Sequence, residues 1–292
     1  MEPSLTPKQV AQAIGVSEAS LKRWCDKGLL RAIRTAGGHR RLAIEDVLEF
    51  LRRTGRRPMS ADLLQLPATR SATNLTIADS IRYFTDGLIA GDEELAHRVI
   101  IDLYLVNTSI CDIGDRVIVE AMRLIGEKWS NHDVEPYQER RACEICGRVL
   151  NQLRSLLPAL PESATLAIGA TLSGDDYRIA SLLVELALRE VGWRAESLGT
   201  GLPAETLCSA IEMLRPRLFW LSVSYIASIP EFLNQYKLIV ESARKFNVLV
   251  AVGGRALDSE VRLQMHYNAF CDSLRHVVNF VGGLSTDNKP TV

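Results

Sequence analysis

Apolar residues first recur at helical spacing at Val10 and Ile14, just behind a compact helix start. Within Thr6-Pro7-Lys8-Gln9 the threonine caps, the proline suits the first helical position and the glutamine completes a capping box. Gly15-Val16 breaks the pattern, and Ser17 caps a second helix running to Lys27 with Leu21 and Trp24 facing inward. Two short helices joined by a glycine-containing turn make a helix-turn-helix. Leu29–Arg34 and His39–Leu42 then flank Thr35-Ala36-Gly37-Gly38, whose paired glycines supply positive φ for a hairpin. This predicts a small β-wing with a basic tip, braced by a helix carrying Ile44, Val47, Leu48 and Leu51. Residues 58–74, rich in Pro, Ser, Thr and Ala, read as a linker.

From Thr76 to Leu157 the pattern is helical, with helices at Ile77–Ile89, from Gly91-Asp92 to Val106, at Ile113–Trp129 and at Glu135–Leu156. Short connections make these a four-helix bundle, which Pro158 and Pro161 close. Beyond Pro161 strand-like runs at Thr165–Thr171, Arg194–Leu198, Leu218–Val223 and Val248–Val252 alternate with helices at Tyr177–Glu190, Ala204–Leu214 and Glu231–Lys245. That alternation predicts a doubly wound, flavodoxin-like α/β domain with a parallel sheet. The expected organisation is a winged helix-turn-helix over 1–57, the linker, the bundle over 75–160, the α/β domain over 161–285 and a tail over 286–292. Such sheets bind ligands beyond the carboxyl ends of their strands, which singles out Ser173–Ala180, Ser222-Val223-Ser224 and Gly253-Gly254. The first of these loops is not the GxGxxG of a dinucleotide site.

Charge adds a direction. The chain of 292 residues is 47% hydrophobic and has a net charge of −1, but residues 1–57 carry twelve Lys/Arg against six acids, leaving the rest at −7. A basic head on an acidic body is the footprint of a reader of double-stranded DNA joined to something else. Ser20, Lys22, Arg23 and Lys27 lie on the outward face of the second helix, and Arg34, His39, Arg40 and Arg41 on the wing. They are the candidate contacts to base edges and phosphates. No apolar stretch approaches the roughly 18 residues of a membrane helix, and the N-terminus lacks a signal-peptide apolar core. With six scattered cysteines, this points to a reducing cytoplasm and no membrane partner. Cys143 and Cys146 form a CxxC inside a helical pattern with no second pair, which reads as two small residues on one helix face.

Leu5–Arg53, and above all Arg34-Thr35-Ala36-Gly37-Gly38-His39-Arg40-Arg41-Leu42, closely resembles the MerR-type winged helix. The bundle and sheet with their three loops resemble the cobalamin-binding module of methionine synthase-like proteins, and the whole chain resembles the CarH-type light-dependent repressors. That family carries Asp-x-His-x-x-Gly after the first strand, the histidine ligating cobalt from below. Here the aligned run is Asp175-Asp176-Tyr177-Arg178-Ile179-Ala180, so Tyr177 stands at the histidine position and Ala180 at the glycine. In the bundle the family has Trp, nine residues, then Glu-His, the histidine being the upper ligand after light exposure. Here Trp129 is followed by nine residues and Glu139-Arg140. The resemblance implies that Ser222, Ser224, Gly253 and Gly254 shelter a nucleotide tail, while the methyl of Ala180 stands in the space that the family's glycine leaves open for it.

A phenol loses its proton only near pH 10 and a guanidinium does not ligate metal, so histidine-ligated cobalamin is disfavoured. Three readings of the module stay open. It takes haem or a linear tetrapyrrole, with Arg140 or Arg178 pairing propionates and Tyr177 or His132 as iron ligands. It takes cobalamin without a protein ligand. Or it binds nothing and serves assembly, Tyr177 plugging the emptied pocket and Trp129 being core. Of these the haem-type ligand ranks first. The function expected is a non-enzymatic, DNA-binding transcription regulator acting as a dimer or tetramer, since one winged helix makes few contacts. Its rivals are a tetrapyrrole photoreceptor or redox sensor, a corrinoid methyltransferase or mutase fragment, and an antirepressor scaffold.

Overall fold

The computed structural model describes residues 4–56, 58–64, 66 and 75–286. It divides into two compact units, Met1–Ala159 and Leu160–Val292.

The first unit opens with β1 (Ser4–Leu5) and α1 (Pro7–Ala13). Thr6 Oγ1 accepts from Gln9 N at 3.2 Å and Gln9 Oε1 accepts from Thr6 N at 2.9 Å, so the capping box read from the sequence is formed. Ser17 Oγ accepts from Ser20 N at 3.2 Å at the head of α2 (Glu18–Asp26). The wing is β2 (Ile33–Arg34) and β3 (Arg40–Ala43), paired antiparallel, with β1 on the other side of β3. Thr35 N donates to His39 O at 2.8 Å and Gly38 N to Thr35 O at 2.8 Å, a three-residue hairpin loop closed by a left-handed glycine. Only Gly38 takes a positive φ, +77°; Gly37 does not, so one member of the pair meets the turn's requirement.

α3 (Ile44–Thr54) buries Val47, Leu48 and Leu51 and places Phe50 with its ring centroid 5.0 Å from that of Trp24. The stretch expected as linker begins differently. Met59 N donates to Ala13 O at 2.7 Å, and Ala61, Leu64 and Leu66 are buried, so this apolar run folds back on α1. Residues 67–74 lie outside the described residues.

The bundle consists of α4 (Ile77–Ala90), α5 (Glu93–Leu105), α6 (Ile110–Ile113) leading to α7 (Val119–Ser130), and α8 (Pro136–Ser155). The third helix starts before the expected Ile113 because Ser109 Oγ accepts from Asp112 N at 3.1 Å, a cap that periodicity alone overlooks. A π-helical turn, Gly114–Ile118, joins α6 to α7. Gly91 ends α4 at φ +82° against the Arg141 guanidinium, whose Nη2 donates to Ile89 O at 2.6 Å. Arg52 of α3 also reaches the bundle. Its guanidinium carbon lies 3.8 Å from the Tyr104 ring centroid, while Nε donates to Asn107 Oδ1 and Nη2 to Thr108 O, each at 3.4 Å.

In the second unit β4 (Leu166–Ala170), β5 (Arg194–Ser197), β6 (Leu218–Ser222), β7 (Leu249–Gly253) and β8 (Ala269–Phe270) form one parallel sheet of order β5-β4-β6-β7-β8. This is the flavodoxin-like winding, and its direction reverses between β4 and β6. α10 (Ala204–Leu214) and α11 (Ile229–Lys245) pack in the core on one face. α9 (Ile179–Glu190) and α13 (Leu274–Thr286) cover the other, and the short α12 (Ser259–Arg262) precedes β8. The sequence expectation stopped at the fourth strand; β8 has too few residues to show a period, but Leu274, Val277 and Val281 are a buried helical stripe that was readable. Among the described residues no helix is long and apolar enough to cross a membrane.

Candidate functional sites

In the head, the start of α1, α2 and the wing enclose a concavity of about 450 Å³ walled by Lys8, Lys22, Arg34, His39, Arg40 and Arg41 among others. Arg34 and His39 are exposed at the wing tip, and Arg23 and Lys27 are exposed on α2 outside this wall. Lys22 pairs with Glu18 at 2.8 Å. Two candidates are occupied by local structure. Ser20 shares a hydroxyl hydrogen bond of 2.9 Å with Ser17, and Arg40 pairs through Nη2 with Asp26 Oδ1, tying the wing to α2. Lys8 is a further cation on this face, and its place one residue after Pro7, in the first turn of α1, is the sequence signal for it.

In the bundle, Trp129 near the end of α7 is 49% exposed, so it is surface and not core. His132 is exposed just beyond, held at φ +63°. Arg140 has a side chain 75% exposed, with Nε 3.8 Å from Glu139 Oε2, while Glu139 Oε1 accepts from the Cys143 thiol at 3.4 Å. Burial, with Glu139 alongside, pushes that thiol up to about 12, so it stays protonated at neutral pH. Cys146 is buried.

At the carboxyl ends of the strands Asp175 is the hub. It is 3% exposed; Oδ1 accepts from Tyr177 N at 3.1 Å, and Oδ2 from Ser224 N at 2.6 Å and Tyr225 N at 3.2 Å. Its carbonyl accepts from Gly201 N at 3.2 Å and from the Thr171 hydroxyl, so one residue holds the loops after β4, β5 and β6. Burial raises its carboxyl above the ordinary carboxylate value against the pull of the three N–H groups. Beside it, at the switch between β4 and β6, lies a crevice of about 210 Å³ bounded by Ser173, Asp175, Ser222, Tyr225, Phe232 and Gln235 among others.

The glycine pair has a backbone reason. A Cβ on Gly254, at φ +127°, would stand 2.1 Å from Val223 O, and one on Gly253 would stand 2.4 Å from Cys271 O. Ser222 is buried, and Arg178, half-buried, precedes α9. Tyr177 does not plug the cleft. It is 37% exposed, with the Arg255 guanidinium carbon 5.2 Å from its ring centroid. Trp220, which shares the face of β6 with Ser222, is 2% exposed in the core on that side of the sheet. Its indole lies against Gly169 and its Nε1–H donates to Ser181 Oγ at 2.9 Å. The residues therefore do not fit a cobalamin held by histidine. By the resemblance, Tyr177 and Arg140 stand at the two ligand positions and neither supplies an imidazole, while the Trp220 indole is packed against Gly169 and bonded to Ser181.

Residues 4–55 match the family described as a helix-turn-helix domain, and residues 81–154 match that described as a B12 binding domain. The chain couples a helix-turn-helix domain to a B12-binding-type domain. This helix-turn-helix–B12-type chain is 25% identical over 256 residues to the HTH-type transcriptional repressor CarA of Myxococcus xanthus, covering 85% of this chain and 86% of that one. Its fold is similar to that of the monomethylamine corrinoid protein of Methanosarcina barkeri, with TM-score 0.60 at 15% identity, over 72% of this chain and 100% of that one. The helical match is to a B12 domain, and no comparison supports the haem-type ligand that the altered ligand set brought forward.

Proposed function

We propose that this chain is a non-catalytic transcription regulator that reads duplex DNA with α2 and the wing, as a dimer or tetramer assembled through its B12-type half. The observation that carries the reading is the basic concavity between α1, α2 and the wing, where Lys8, Lys22, Arg34, His39 and Arg41 converge on one surface. Lysine and arginine heads so placed meet phosphates on either side of a groove, and α2 brings Arg23 and Lys27 alongside. Similarity to a transcriptional repressor over most of the chain supports the same reading. Selection from a random duplex pool, followed by anisotropy titration across a salt series, tests it. Tight binding of one enriched sequence with a steep salt slope is expected; equal affinity for every duplex at low salt would sink it.

For the B12-type half we propose assembly without a histidine-ligated cobalamin. A second reading rests on Trp129, which offers an exposed indole face near the end of α7. There Trp129 would hold a corrinoid by stacking, without a histidine ligand from the chain. Incubation with hydroxocobalamin and with haem, followed by size exclusion and visible spectra, separates the two. Co-elution of corrin lost on Trp129→Ala would favour the second.

A further inference from the structure

The face of the sheet under α9 is apolar and closed, and one feature in it is unusual. Gly169 and Trp220 are partners across β4 and β6, and a Cβ on Gly169 would fall 2.0 Å from the indole ring. The glycine thus gives up its side-chain space to a ring contributed by the neighbouring strand. Ala167, Ala195 and Ala251, all buried in the same cluster, keep the surrounding strand positions small. At the α9 wall the ring nitrogen is met by the Ser181 hydroxyl at 2.9 Å, which in turn shares a hydrogen bond of 3.1 Å with Ser197 Oγ. Ser197 is fixed by its own N–H, which donates to Glu185 Oε2 at 3.1 Å. The Ser181–Ser197–Glu185 chain is therefore contributed by α9 and β5, not by the strand that carries the ring. An apolar core position needs shape alone, whereas this one also presents a seated acceptor for a ring N–H.

We infer that the space between α9 and the sheet is a slot for a planar bicyclic heteroaromatic carrying a ring N–H, and that Trp220 fills it from within. The occupant is part of the chain, so this half is held in its filled form without a ligand, and removing the indole makes it ligand-dependent. Indole and 5,6-dimethylbenzimidazole have the shape and the donor; naphthalene has the shape alone. The inference does not depend on DNA binding, and its readouts are separate from DNA affinity.

The test uses the full chain carrying Trp220→Gly. Its melting temperature should fall by about 10 °C or more, as for loss of a large buried ring. Millimolar indole or 5,6-dimethylbenzimidazole should restore most of that fall, naphthalene clearly less, and the unaltered chain should not respond. Adding Ser181→Ala to Trp220→Gly should bring indole down to the level of naphthalene. If Trp220→Gly does not fold alone, it should fold when expressed and purified with indole, and Trp220→Ala gives the same comparison in milder form. Loss of stability with no rescue by any of the three rings would overturn the slot. So would hydroxocobalamin shifting the emission of the unaltered chain but not of Trp220→Phe, since that would mean an external ligand displaces the indole.

Discussion

Arg40 and Arg41 are neighbours in the sequence yet stand in different surroundings. Both line the concavity, and Arg40 is in addition tied to Asp26 across the wing root. Arg41→Ala and Arg23→Ala should each weaken DNA binding and lower the salt slope by about one unit, with unchanged melting. Arg40→Ala should add a stability loss of up to about 1 kcal/mol, the usual range for a partly exposed pair. Anisotropy across salt together with thermal melts checks this, and identical behaviour of all three would show that the brace does not matter. The glycines sort in the same way. Gly254→Ala drives a methyl into Val223 O at a left-handed φ and should cost about 3 kcal/mol or more, whereas Gly174→Ala meets open space and carries only its φ penalty of about 1 kcal/mol. Urea unfolding of the two variants should rank them in that order. If Gly174→Ala proved the worse, the steric account of the glycine pair would fail.

At the scale of elements, α5 carries a proton-linked weakness. His97 is half-buried in a setting that lowers its pKa from the ordinary 6.5, with Glu93 opposing, and its Nε2 has no hydrogen-bond partner among the described residues. A histidine depressed in the folded state favours the neutral form there. Its contribution is full above about 6.5 and is lost as the pH falls through the lower folded value. Stability followed from pH 7.5 to 5 should drop in that window, and His97→Gln should flatten the drop; an unchanged slope would assign it elsewhere. Elements were legible where local chemistry and periodicity agreed. Thr6-Pro7, Ser17 and the Gly38 turn fixed the head, and alternating apolar runs fixed four strands. The start of α6 was missed because Ser109 acts by its cap and not by period, and β8 because two paired residues have none.

On the scale of the whole chain, the charge split and the order of elements gave the class of protein, but not the state of the cleft. Trp220 lies in a run, Leu218–Val223, that reads as any buried strand, and its meaning appears only across the sheet, opposite Gly169. Tyr177 departs from the family's motif, yet it is exposed beside Arg255. Assembly belongs to this scale as well. Light scattering of the full chain at micromolar concentration should give a dimer or tetramer, and a chain monomeric both alone and on its selected duplex would remove the assembly proposal.

The Arg52 stack bears on how this protein can be taken apart. Its guanidinium belongs to the helix that braces the wing, but the ring and the two acceptors it meets belong to α5 and the turn after it. Head and body are therefore not interchangeable cassettes. A head cut free near residue 56 leaves a cation without its aromatic seat, and a head grafted onto a foreign body needs a ring in the place of Tyr104. Affinities measured on the excised head would then describe a looser wing than the one the full chain presents to DNA.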